Sequence, residues 1–231
     1  MKKLVIEPSA FKVNLDASRS HNQGLIASVE GQYVDAEEAF SASLAILDSG
    51  PKSNDSMLQK SRVMRDKAFN IVREAVAVGD ARRLYKAQDE LDDSLLLTDI
   101  SDEAYQVESA FREVLSERAA TIGMMGRVAT AQMVLTGELT GVEKYYQAHD
   151  YNVNGANGYY RVSNAVNAAR HERIADNKLK VARWMGKAII GMAWTAVHDP
   201  KRLRQATLTS IDRTLSIRTV RSARASVLKR P

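Results

Sequence analysis

The sequence predicts an all-α protein made of stacked antiparallel helical hairpins, and three observations carry that expectation. Only four of the 231 residues are proline, while Ala, Leu, Val, Glu, Arg and Lys are abundant, a composition that favours helix. No apolar and polar alternation runs long enough to build a sheet. Small and apolar residues instead recur at three- and four-residue steps, interrupted by glycine-centred breaks; that spacing lines up one face of a helix. A chain of this length can bury about 70% of the surface its unfolded form exposes, so a sizeable core is available.

Residues 1–16 show no clear helical face and are expected to form a partly extended arm, followed by a helical body over residues 17–216 and a basic tail over residues 217–231. The clearest segment is Asn22–Asp48. Gly24 precedes an apolar face, Gly31-Gln32-Tyr33 breaks it, and Ala36, Phe40, Ser43, Leu44 and Leu47 then share one side of a second helix. Small residues at Gly24, Ala36 and Ser43 let two helix axes approach, and Tyr33 and Phe40 fill the space between them. Further breaks at Gly79-Asp80, Gly137-Glu138 and His198-Asp199-Pro200 divide the chain similarly. After Gly79 the expected core stripe is Leu84, Ala87, Leu91 and Leu95. After Gly137, Leu139, Val142, Tyr146 and His149 stand in for Tyr33, Ala36, Phe40 and Ser43; after His198 the counterparts are Pro200, Leu203, Thr207 and Ser210, with Gly191 in the place of Gly24. The stretches Asp102–Thr136 and Gly158–Val197 each hold one long helix or two joined by a kink, and Tyr151–Gly158 reads as a loop rich in turn formers.

Gly24, Gly31, Tyr33, Ala36, Phe40 and Ser43 fall at the intervals of a tetratricopeptide repeat, which this segment resembles. Ser20 and Gln23 replace the bulky Trp and Leu usual in the first helix, and Asp48 stands where Pro is frequent. The resemblance implies a TPR-like α-solenoid with irregular, elongated repeats, because the breaks lie 48, 58 and 61 residues apart rather than at the family's period of about 34. It also implies a concave, peptide-holding surface lined by His21, Leu25, Ser28, Phe69 and Arg73 early in the chain, and by Met124, Arg127, Ala131, Met192 and Thr195 later. Arg73 and Arg127 would favour an acidic ligand. The Lys and Asn set with which some family members clamp a terminal carboxylate is not recognisable.

Chemistry-bearing patterns are absent. Without cysteine there are no disulfides, thiol nucleophiles or thiolate metal sites, which fits a reducing cytoplasm. His171-Glu172 begins like HExxH, but Ala175 occupies the second histidine position. No Walker loop, GxGxxG, GxSxG or Glu-x-x-His spacing occurs, so neither a cofactor nor a catalytic site is expected. The acid clusters Glu37-Glu38, Asp89-Glu90, Asp92-Asp93 and Asp102-Glu103 read as solvated faces or favourable charge near helix starts. His149-Asp150 reads as a polar helix end, and the methionines as core filler.

Met1–Ile6 mimics the start of a signal peptide, but Glu7 and Pro8 end the apolar run. Trp184–Val197 is too short to cross a bilayer and reads as a buried core helix. The net charge of +5 is concentrated at the end: Lys201–Pro231 carries nine Lys and Arg against Asp212 alone. Arg218, Arg221, Arg224, Lys229 and Arg230 offer phosphate attraction without an aromatic residue for base stacking. The leading expectation is therefore a non-enzymatic scaffold that binds a protein or peptide partner. The alternative is a tether to nucleic acid or anionic membrane acting through the basic tail.

Overall fold

A computed structural model of the protein describes the backbone of residues 8–99, 108–137, 141–154 and 158–198. These residues form helices and no strand: α1 (Pro8–Glu30), α2 (Tyr33–Ser49), α3 (Asn54–Val78), α4 (Arg83–Leu96), α5 (Glu108–Thr136), α6 (Val142–Asn154), α7 (Gly158–Ile174) and α8 (Lys178–His198). Each odd-numbered helix packs along the even-numbered helix that follows it. The hairpins are joined by contacts of α2 with α3, α4 with α5 and α6 with α7, and the odd-numbered helices also touch in succession.

A recurring stripe explains the pairing. Ala36, Phe40, Ser43 and Leu47 are the buried face of α2; Ala87, Leu91, Ser94 and Thr98 repeat the same steps along and just beyond α4; Trp184, Ala188, Gly191 and Thr195 repeat them in α8. Each stripe advances by four, three and four residues, holding one helical face against its neighbour. The third position is always small. In the first two hairpins its hydroxyl is buried and satisfied: Ser43 Oγ donates to the Ala17 carbonyl at 2.8 Å, and Ser94 Oγ to the Ser61 carbonyl at 3.1 Å. Both bonds tie an even helix to the backbone of the preceding odd one and remove the cost of an unpaired buried hydroxyl.

The hairpin turns share a second device. Gly31, Gly79, Gly137 and Asp176 all adopt positive φ, at 81°, 75°, 84° and 56°, the left-handed geometry that ends a helix and reverses the chain. The amides of Gln32, Asp80 and Asn177 close these turns by donating to the carbonyls of Ala27, Ala75 and Glu172 at 2.9, 3.0 and 2.9 Å. A reversal not expected from the sequence therefore lies at Asp176, while the break expected at His198-Asp199-Pro200 runs outside the described residues. The sequence signal at Asp176 is weak because Asp takes the place of Gly, a substitution its short polar side chain tolerates.

The core follows the chain in successive pieces. Ala17, Phe40, Leu47 and Val63 pack between α1, α2 and α3; Ile71, Leu91, Met125 and Val128 between α3, α4 and α5; Tyr145, Ala168, Trp184 and Ala188 between α6, α7 and α8.

Several expectations are corrected. The arm foreseen over residues 1–16 is helical from Pro8, because tertiary contacts hold that turn: Val13 abuts Gly50, and Gln59 donates to the Asn14 carbonyl and to Ser18. Of the two readings held open for each long stretch, the described part of Asp102–Thr136 is one helix from Glu108, and Gly158–Val197 is two, α7 and α8. The loop foreseen at Tyr151–Gly158 is helical through Asn154 and again from Gly158. In the third hairpin the residue opposite the glycine is Tyr145 rather than Tyr146, since a β-carbon on Gly126 would lie 2.8 Å from the Tyr145 ring. Finally, α8 is not a buried core helix: one stripe is covered, while Leu179, Ile189, Ile190 and Val197 face solvent. Residues 1–7 and 199–231, with the basic tail Arg218, Arg221, Arg224, Lys229 and Arg230, lie outside the described residues.

Candidate functional site

The odd-numbered helices α1, α3 and α5 carry eight of the ten residues expected to line the surface. His21 on α1 meets Asp66 on α3 at 3.0 Å, and Arg65 Nε approaches the other Asp66 oxygen at 3.2 Å. Arg65 also pairs with Glu117 on α5, which accepts from Arg62 Nε at 3.3 Å; Arg62 reaches on to Glu113. A ladder of alternating charge thus crosses α1, α3 and α5. Burial would raise the Asp66 carboxyl, but Arg65 and His21 together hold it below its ordinary value. Burial likewise opposes the charge on Arg62, yet Glu113 and Glu117 more than offset it and raise its pKa.

One turn beyond Arg65 and Asp66 on α3, Phe69 is partly buried and carries two guanidiniums against its ring, Arg127 of α5 at 5.1 Å and Arg73 at 5.9 Å from the centroid. Arg73 also donates toward Ser28 Oγ at 3.3 Å and the Val29 carbonyl. Leu25 stands exposed on α1. His21, Leu25 and Ser28 lie on α1, Phe69 and Arg73 on α3 and Arg127 on α5, which are adjoining helices; Ser28, expected on an open surface, is buried beneath Arg73.

The remaining candidates do not join them. Met124 and Ala131 are buried in the core with Leu84 and Leu91. Thr195 is buried in the α8 stripe, its hydroxyl donating to the Gly191 carbonyl at 2.8 Å, and Met192 is exposed on α8. For Met192 and Thr195 the cause is the turn at Asp176: α8 is the second helix of its hairpin, so its residues do not extend a face made by α1, α3 and α5.

A second cluster lies between α6, α7 and α8 and was not foreseen. Tyr146 stacks on Trp184 with centroids 4.5 Å apart, His149 meets the indole edge-on at 5.3 Å, and the Lys187 ammonium sits 4.0 Å from the indole centroid. The Tyr146 hydroxyl donates to the buried Glu172, which Lys180 approaches at 3.5 Å. Burial, reinforced by Glu172, pushes the Tyr146 phenol up to about 12. Burial also lowers His149 and Lys187. His149 is not the polar helix end expected of it: it is buried, with Nδ1 3.2 Å from Asp150 and Nε2 unpartnered. The local signal was present, since Tyr146 and His149, and Trp184 and Lys187, are each spaced to share a helical face. Their meeting depends on the unforeseen turn at Asp176.

Among the described residues, no group of three or more His, Asp or Glu side chains is placed to hold a metal ion. No described helix is long and apolar enough to cross a membrane. No protein-family model matches the chain, and no curated protein matches it.

Proposed function

We propose that the protein is a non-enzymatic, cytoplasmic interaction scaffold in which TPR-like hairpins stack and the odd-numbered helices present one face to an acidic protein segment. The left-handed turns, the recurrent stripe and the paired serine bonds support a repeating hairpin unit. The observation that carries the functional reading is the Phe69 ring flanked by Arg73 and Arg127, with Leu25 exposed on the adjoining helix. An aromatic surface edged by guanidiniums suits a peptide with an apolar anchor and a carboxylate, because Arg supplies planar charge-assisted donors while the ring supplies apolar area. The ladder from His21 to Glu113 serves this face by fixing the spacing of α1, α3 and α5.

The experiment is a peptide-array screen with the full chain. Acidic peptides carrying an apolar residue should be retained, and the Phe69→Ala, Arg127→Ala double variant should lose them while keeping its helical circular dichroism. Equal retention by the folded variant would refute this reading.

A further inference from the structure

Helix α8 combines two properties that are separated elsewhere in the described chain. Its outer side exposes Leu179, Met185, Ile189, Ile190, Met192 and Val197, although an exposed cluster of large apolar side chains on one helix is costly unless something covers it. The helix also carries Lys178, Lys180, Arg183 and Lys187 and has no Asp or Glu along its length. Every other even-numbered helix is packed against odd-numbered helices on both sides, whereas α8 lies along α7, with side-chain contacts to α6 through Trp184. Among the described residues, no helix covers this flank, which leaves it accessible to a large flat partner.

Charge selects among possible occupants. Lys201–Pro231 is strongly basic and would be repelled by the α8 cations; an α8 flank from a second copy would bring two such clusters together. The fitting occupant has negative charge at its surface and apolar material beneath. We infer that α8 is an in-plane membrane-docking helix, which seats its outer apolar side chains in an anionic bilayer while the exposed Lys178 and Arg183 meet lipid phosphates. The interrupted apolar run places the helix on the membrane rather than across it. The basic tail adds long-range attraction that salt screens, while the apolar contribution from α8 is less sensitive to salt.

The test is co-sedimentation of the full chain with phosphatidylcholine vesicles, with and without phosphatidylserine, over a salt series. Three further proteins are compared: an Ile189→Ser, Ile190→Ser variant, a chain ending at residue 216, and the two changes combined. The exposed positions of the isoleucines allow these substitutions without disturbing the core, which circular dichroism verifies. Expected are binding that requires phosphatidylserine, a loss of roughly tenfold or more in affinity from the double substitution, and a similar loss when the tail is already absent. The inference is overturned by unchanged vesicle binding in the folded double variant, by complete loss of binding on tail removal alone, or by a substitution effect confined to self-association or acidic-peptide capture. Vesicle binding does not involve Phe69 or Arg127, so the peptide-array result can fail independently.

Discussion

Gly24 and Phe40 meet with no room for one more carbon: a β-carbon on Gly24 would lie 2.8 Å from Phe40 Cδ1 and Cε1. Gly24→Ala gains about 1 kcal/mol of intrinsic helix preference, but forcing a methyl against a buried ring costs roughly 1–3 kcal/mol. A net loss of about 1 kcal/mol is expected in urea unfolding. In a Phe40→Leu background the same alanine should be neutral or stabilising. A double-mutant cycle without coupling between these positions would contradict the steric explanation.

The left-handed turns yield a pair of opposite effects. Gly79→Ala places a β-carbon at φ 75° and should lower stability by about 1–2 kcal/mol. Asp176→Gly relieves a non-glycine residue at φ 56° and should raise stability by about 0.5 kcal/mol, because the flexibility gained by the unfolded chain offsets part of the relief. Urea midpoints of the two variants should move in opposite directions.

Acid sensitivity should divide between His149 and Asp66. Burial lowers the His149 pKa, so its contribution is complete above the ordinary histidine value and is lost as pH falls, when the unfolded chain takes up the proton first. This places its effect below about pH 6.5. Asp66 is also lowered, so its contribution is complete above its unfolded value, about 3.9, and is lost in stronger acid. His149→Phe should flatten the stability profile in the milder range and leave the steeper acid limb intact. An unchanged slope in that milder range would show that His149 does not control it.

Glu117 is the shared acceptor for Arg62 and Arg65 and is itself buried. Glu117→Gln retains the shape but removes the charge, and should cost about 2 kcal/mol, less than a fully buried pair because Arg62 reaches solvent. The loss should persist in high salt, since Arg65 and Glu117 are largely screened from water. A deficit that disappears in salt would assign the pair to surface electrostatics.

Tyr146 donates to Glu172 and is raised to about 12. Its protonated form is favoured in the fold, so this contribution is present below the ordinary tyrosine value and is lost as pH rises from about 10 toward 12. Tyr146→Phe should remove that alkaline dependence and cost about 1–3 kcal/mol at neutral pH by withdrawing a donor from a buried carboxylate. Spectrophotometric titration should show one fewer late-ionising phenol.

Local information determined the helical character, the first hairpin down to Gly24, Phe40 and Ser43, and the turns at Gly31, Gly79 and Gly137. Each rests on a residue's own backbone preference or on spacing along one helix, both of which are written in the chain. The hairpin of α7 and α8 escaped because Asp176 turns without the usual glycine, and Trp184, Ala188, Gly191 and Thr195 form a seam only once α8 lies against α7. Tertiary structure alone decided that Met124 and Ala131 enter the core, that Arg127 reaches Phe69, and that Tyr146, His149, Trp184 and Lys187 meet. Those contacts join residues distant in sequence, and a one-residue change in helical rotation, such as the one that seats Tyr145 rather than Tyr146 against Gly126, redirects every side chain on that face by about 100°.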